Sequence, residues 1–175
     1  MMGSEEEILI LKQFNNTKSD YPKNETVVSL FEKTAKQFPN NLAVVAGGQS
    51  INYNELDQRA NKFANYLILK GVKSENPVPL CVDRSIGMVI GILGILKAGG
   101  ALVPVDPSLP VERIDYMLED TGADFVICNS STSHKVSNHK KLIFDQESEE
   151  INSMSSINPL TSPSPENLFD IIYTS

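Results

Sequence analysis

Apolar positions recur along this chain in three rhythms, and each rhythm predicts a different element. Val27, Leu30, Phe31, Ala35 and Phe38 keep a helical period behind Thr26, a good N-cap, and Pro39-Asn40-Asn41 stops the helix. Two short apolar runs, 42–46 and 50–53, flank Gly47-Gly48 and predict a hairpin. A second helix runs from Asn54, read as its cap, to Lys70, with Leu56, Ala60, Phe63, Leu67 and Ile68 on one side and Gly71 as terminator. Residues 78–82 are continuously apolar, the sign of a strand buried on both faces. Pro110 and Glu112 open a further helix that turns Ile114, Met117 and Leu118 inward and closes at Gly122. Residues 125–128 form the next buried strand, and 142–144 a short one.

The longest apolar run, 84–107, admits three readings: a membrane span, a buried helix feeding a strand, or a phosphate-binding loop. Its length alone allows a membrane helix of about 20 residues. Its punctuation does not, because Gly99-Gly100 ends a helix and Pro104 bars its continuation. What remains is a helix over 85–98 and an extended run over 101–105. Gly87, Gly91, Gly94 and Ala98 fall on one face of that helix, with Met88, Ile92, Ile95 and Leu96 opposite. Three interior glycines forfeit roughly 2–3 kcal/mol of helix propensity, so close approach of a neighbouring helix or sheet is the compensating reason expected. A helix apolar all round is a buried one. Gly99-Gly100 would then turn the chain into a central strand.

From residue 54 the order is helix, strand, helix, strand, helix, strand. That alternation predicts an α/β fold, a mainly parallel sheet flanked by helices. Residues 8–24 start with a short helical pattern and continue as a polar loop or interdomain leader. Residues 129–141 are polar. Residues 145–167 are acidic, then Ser/Pro-rich, and are expected to form an exposed connector of low local stability. A last apolar run, 168–173, is expected as a buried strand ending in Thr174-Ser175.

Composition narrows the partners. A chain of 175 residues fits one domain or one lobe of a larger one, and its 41% apolar content supports a packed core. A net charge of −7 without a basic face argues against nucleic acid and anionic membranes as partners. The acidic start M-M-G-S-E-E-E lacks a signal-peptide core. Cys81 and Cys128, both in strand-like apolar runs, read as buried free thiols of a reducing compartment, so a soluble, cytoplasmic protein is expected.

Candidate chemistry is sparse. His134 and His139 have no matching cysteines or carboxylates, so no metal set follows and both read as surface histidines. Glu147, Glu149 and Glu150 read as a solvated acidic run. Arg84 and Lys97 flank the apolar helix, where snorkelling or surface pairing competes with phosphate binding. The terminal I-I-Y-T-S places hydroxyls directly after a strand, where α/β folds set ligand loops and where amides and hydroxyls can cradle phosphates.

Several segments then fall into a known order. F-N-N-T-K-S-D-Y-P (14–22), I-N-Y-N-E-L-D-Q-R-A-N (51–61), L-K-A-G-G-A-L-V-P-V-D-P (96–107) with P-V-E-R-I-D-Y-M-L-E-D-T-G-A after it, and S-P-E-N-L-F-D-I-I-Y-T-S (164–175) resemble the leader and first three core motifs of nonribosomal peptide synthetase adenylation domains, within the adenylate-forming superfamily. Leu102 stands where that family usually has tyrosine, and Gly87 where an acidic residue is common; both are packing positions. The resemblance implies a leader over 1–24 and, over 25–175, the first lobe of the large N-terminal subdomain of an adenylate-forming enzyme, cut within the phosphate-binding motif. It implies a parent ligase that uses ATP and Mg2+ to activate an amino-acid substrate and loads it onto the phosphopantetheine of a peptidyl carrier domain, beside condensation domains and the remainder of the adenylation domain. Of this chain, only Thr174 and Ser175 carry over, as ATP-phosphate contacts; no catalytic or metal-binding residue does. The piece alone is expected to be inactive. The alternatives are a fragment of an acyl-CoA or aryl-acid ligase, and a non-catalytic structural module.

Overall fold

The computed structural model describes residues 8–161 and 163–174. Leu9–Gln13 form one π-helical turn, and a polar loop follows. Helix α1, Val27–Gln37, starts at a reciprocal cap: Thr26 Oγ1 accepts the Ser29 N–H at 3.0 Å and Ser29 Oγ accepts the Thr26 N–H at 2.9 Å. Strands β1, Leu42–Ala46, and β2, Gln49–Asn52, pair antiparallel across the Gly47-Gly48 turn, as the pattern predicts.

Helix α2, Tyr53–Leu69, is capped by Asn52 and not by Asn54: Asn52 Oδ1 accepts the Glu55 N–H at 2.8 Å. The helix springs straight from the last residue of β2, so the cap belongs to the strand end, while Asn54 Oδ1 accepts from the Gln58 amide one turn on. The predicted inward face of α1 is rotated. Val28 and Ala35 are buried and Phe31 packs on the core, whereas Val27, Leu30 and Phe38 are exposed.

Strand β3, Pro77–Cys81, helix α3, Ile86–Lys97, strand β4, Ala101–Pro104, helix α4, Val111–Thr121, strand β5, Val126–Cys128, strand β6, Lys141–Ile143, and helix α5, Ser148–Ser153, complete the fold. The four strands are all parallel, in the order β4-β3-β5-β6. Their side chains alternate strictly: Val78, Leu80, Leu102, Ile127 and Leu142 join the core under α2 and α3, while Cys81, Val103 and Val126 join the one under α4. The sheet is therefore covered on both faces, which is why its strands read as unbroken apolar runs.

β4 is an edge of this sheet, a correction to its expected central place. On its outer side, among the described residues, it has a single bridge, Leu102 to Asp170, in which the Leu102 N–H donates to Phe169 O (3.0 Å) and the Ile171 N–H to Leu102 O (2.8 Å). The run 168–173 is accordingly not a buried strand: Leu168, Phe169 and Ile172 are exposed, and Ile171 and Tyr173 are partly buried.

The glycine face of α3 meets two different neighbours. A Cβ on Gly91 would stand 3.0 Å from a Leu80 methyl, on the sheet, and one on Gly94 would stand 2.6 Å from the Phe63 ring, on α2. Close approach is thus the reason for both residues. Gly99 ends α3 with φ +87°, and the chain turns into β4. Among the described residues no helix is long and apolar enough to cross a membrane.

The connector 145–167 is largely exposed among its described residues, as expected, but it is not featureless. It contains α5, and its backbone carbonyls are held by α2: Lys62 Nζ donates to Asn152 O (2.8 Å), Asn61 Nδ2 to Ser156 O (3.0 Å), and Asn65 Nδ2 to Ser155 O and Ile157 O (3.0 Å each). It is a tied strap. Side-chain amides on one helix face can satisfy an extended backbone with no sheet partner, which composition alone does not reveal.

Candidate functional site

In a parallel sheet the C-terminal strand ends are where helix N-termini and loops converge on a ligand. Here β3 leads into Val82-Asp83-Arg84 and β4 into Val105-Asp106, while β5 runs into a loop and a 3-10 turn, Ser133–Lys135. Between them lies a hollow of about 670 Å3, floored by Leu80, Met88, Ile92 and Leu102 and rimmed by Asp83, Arg84, Asp106, Ser131, His134 and Lys135. Its walls are pinned: Thr132 Oγ1 donates to Cys81 O (2.6 Å), and Ser131 Oγ to the Asp83 carboxylate (2.5 Å). The Ser108 N–H donates to Asp106 Oδ1 (2.8 Å), and that bond, with the Arg84 charge as a lesser cause, holds the Asp106 carboxyl below its usual range. Arg84 thus sits at this rim and His134 is exposed on it, consistent with an ordinary surface histidine.

The segment 168–174 meets β4 in parallel at Asp170, and beyond that bridge Tyr173 and Thr174 are held by α4. Tyr173 anchors it: its hydroxyl donates to Asp120 Oδ2 at 2.6 Å and packs beside Met117 of α4. Partial burial first, and then the Asp120 carboxylate, push the Tyr173 phenol up to about 12. Arg113 Nη2 donates to Thr174 O at 3.3 Å, and the Thr174 side chain is exposed. Ser175, the second residue expected at phosphates, lies outside the described residues. Among the described residues no group of three or more His, Cys, Asp or Glu could hold a metal ion. One exposed hydroxyl at a sheet edge does not by itself make a nucleotide or Mg2+ site, so no catalytic step is assigned to these side chains.

Lys97 overturns the reading given it from sequence. It is neither at the surface nor snorkelling: it is 1% exposed, with Nζ 2.6 Å from Glu32 Oε1, 2.9 Å from Asp57 Oδ1 and 3.2 Å from Asn158 Oδ1. Two carboxylates and an amide satisfy one buried ammonium, which is structural pairing and leaves it no phosphate to meet. Cys81 and Cys128 stand opposite each other in the β3–β5 register as buried free thiols. Burial pushes Cys81 up to about 12 and raises Cys128 as well.

Against known families, residues 31–175 match the model described as AMP-binding enzyme. The chain belongs to the AMP-binding enzyme family. It is 42% identical over its whole length to bacitracin synthase 2 of Bacillus licheniformis, of which it spans 7%, and 45% identical over 136 residues to gramicidin S synthase 2 of Brevibacillus brevis, of which those residues span 3%. It therefore covers less than a tenth of the curated relatives it matches. Among solved structures it is similar to the nonribosomal peptide synthetase FmoA3, at 27% identity and a TM-score of 0.83, over 93% of this chain and 17% of that one. A fatty acyl CoA synthetase of Mycobacterium tuberculosis shares the fold at 21% identity and a TM-score of 0.77, over 87% of this chain and 33% of that one. The α/β sheet of this family member is thus the adenylate-forming architecture that the motifs at 51–61 and 96–107 led us to expect.

Proposed function

We propose that residues 25–175 are the first lobe of an amino-acid-activating adenylation domain of a nonribosomal peptide synthetase, and residues 1–24 a leader that joins it to a preceding domain. The observation that carries this reading is the full-length match to bacitracin synthase 2. FmoA3 supports the chemistry, having been solved with AMPPNP and with α-methyl-L-serine-AMP. In the parent, an amino-acid carboxylate attacks the α-phosphorus of ATP, forming the aminoacyl-adenylate as the α–β phosphoanhydride bond breaks and pyrophosphate leaves, and Mg2+ would supply charge balance to the phosphates. The aminoacyl group then passes to a carrier domain's phosphopantetheine thiol, with condensation domains as further partners. Such catalysis is mostly positioning and charge stabilisation, and this lobe contributes positioning: Thr174 and Ser175 would begin a phosphate-binding loop, a role supported by the parallel bridge that seats Asp170 beside Leu102 just before them. The acidic balance and buried thiols suit a cytoplasmic assembly line.

The test is ATP–pyrophosphate exchange by the parent synthetase and by this chain alone. Exchange by the parent that depends on an amino acid supports the reading, and exchange that depends on a fatty or aryl acid replaces it. The 175-residue chain alone should give no exchange above a protein-free blank.

A further inference from the structure

Glu75 carries an unexplained cost. It lies in the loop between α2 and β3 and, among the described residues, is the non-glycine residue with positive φ, at +62°. Left-handed backbone is disfavoured for an L side chain, and a glycine would adopt it freely. What glutamate adds is its carboxylate, and both of that group's hydrogen bonds go to one place. Glu75 Oε1 accepts from Asn167 Nδ2 at 3.1 Å and from the Leu168 N–H at 3.2 Å. The loop is itself fixed to the end of α3 and the start of β4, because the Glu75 N–H donates to Gly99 O (2.8 Å) and the Ala101 N–H to Asn76 O (2.8 Å).

The carboxylate therefore grips the chain two residues before the Leu102–Asp170 bridge, at the point where the strap becomes the segment that leads to Thr174. That bridge is the segment's one pairing with the sheet among the described residues, and one bridge sets register poorly. We propose that Glu75 is a positioning residue: its strained backbone aims a carboxylate that sets the register of 168–174 against β4, and so the place of Thr174. Only the functional meaning of that place rests on the adenylation reading; the positioning itself does not.

The two can be separated on the 175-residue chain by residue-resolved amide exchange and melting. Glu75→Gly relieves the left-handed strain and removes the carboxylate. It should melt at or above the wild-type temperature while the Ile171 amide exchanges roughly tenfold faster, with α2 amides unchanged. A residue with a merely structural role would move both readouts in the same direction. Glu75→Gln, which keeps an Oε1 acceptor, should restore most of the Ile171 protection. Wild-type protection at Ile171 in Glu75→Gly overturns the proposal, as does an Ile171 amide already unprotected in the wild type. ATP titration of the parent synthetase, read as amide exchange over residues 168–174, separates the other question. No response there, with Ile171 protected, overturns the nucleotide reading of the segment and leaves the positioning role standing.

Discussion

Lys97 Nζ and Glu32 Oε1 meet at 2.6 Å under α1, linking two helices whose partners are 65 residues apart in the chain. The ammonium is buried, whereas the Glu32 and Asp57 side chains keep 22% and 25% of their exposure. Removing one member of a buried pair strands the other and costs about 3–5 kcal/mol. Lys97→Met leaves Glu32 in reach of water but strands the buried Asp57 Oδ1, so about 3–5 kcal/mol should be lost in urea unfolding. Glu32→Gln leaves Asp57 in place and should cost about 1 kcal/mol. A Lys97→Met variant as stable as wild type would show that the cluster contributes nothing net.

Gly91 and Gly94 look equivalent in the sequence, yet they should respond differently to alanine. Both substitutions gain about 0.5–1 kcal/mol of helix propensity. At Gly91 the new methyl meets the end of the Leu80 side chain at 3.0 and 3.2 Å, which can rotate aside. At Gly94 it meets Phe63 Cδ1 at 2.6 Å and Phe63 Cβ at 3.2 Å, and that ring is wedged edge-on against Phe144 with centroids 4.7 Å apart. Overpacking of this kind costs about 1–3 kcal/mol. Gly91→Ala should stay within about 1 kcal/mol of wild type and Gly94→Ala should lose about 2. Equal melting temperatures for the two variants would contradict the packing argument.

Elements set by neighbours in sequence were legible. The Thr26 cap, the Gly47-Gly48 turn and the parallel α/β order each follow from spacings of a few residues, and the structure has them. What was misread depended on distant partners. Lys97 looked like a surface cation because Glu32 and Asp57 are far away in sequence, though Glu32 lies one turn from both Val28 and Ala35, a carboxylate on the buried stripe of α1. That placement was the available signal. The rotation of α1 has the same origin: Val27 and Leu30, exposed here, line a hollow with Tyr21 and Phe169 instead of the sheet core. The strap reads as loose chain in the sequence because its partners, Asn61 and Asn65, look like ordinary polar positions of a surface helix. At the candidate site the sequence placed Thr174 after a strand, but Glu75 carried no pattern at all, since a left-handed glutamate looks like any other in a polar loop.

The strap should behave as tied chain. Among the described residues, Asn65 alone holds the carbonyls of Ser155 and Ile157. Asn65→Ala removes both bonds without touching the sheet, and each is worth about 1 kcal/mol. Limited proteolysis should then cut between residues 154 and 161 several-fold faster, while the urea midpoint falls only slightly. Rapid cleavage of the wild-type protein in that interval would mean that the carbonyls are not held in solution.

Cys81 sets an alkaline limit on stability. Burial first, and then the neighbouring Cys128, Asp83 and Asp106, keep its thiol neutral and raise its pKa from 9.0 to about 12. In the unfolded chain the same thiol ionises near its ordinary value. Between those two values the folded state binds more protons than the unfolded one, so stability falls as pH rises. The contribution is fully present below about pH 9 and is lost as the pH climbs toward about 12. Melting temperatures should therefore be flat in this respect from pH 7 to 8.5 and decline above pH 9, and Cys81→Ala should decline less steeply over the same interval. The thiol should also resist alkylation at pH 8 until the protein is unfolded, because it is buried and protonated together. If Cys81→Ala declined as steeply as wild type, the alkaline loss would belong to other groups, and the β3–β5 thiol pair would be inert packing.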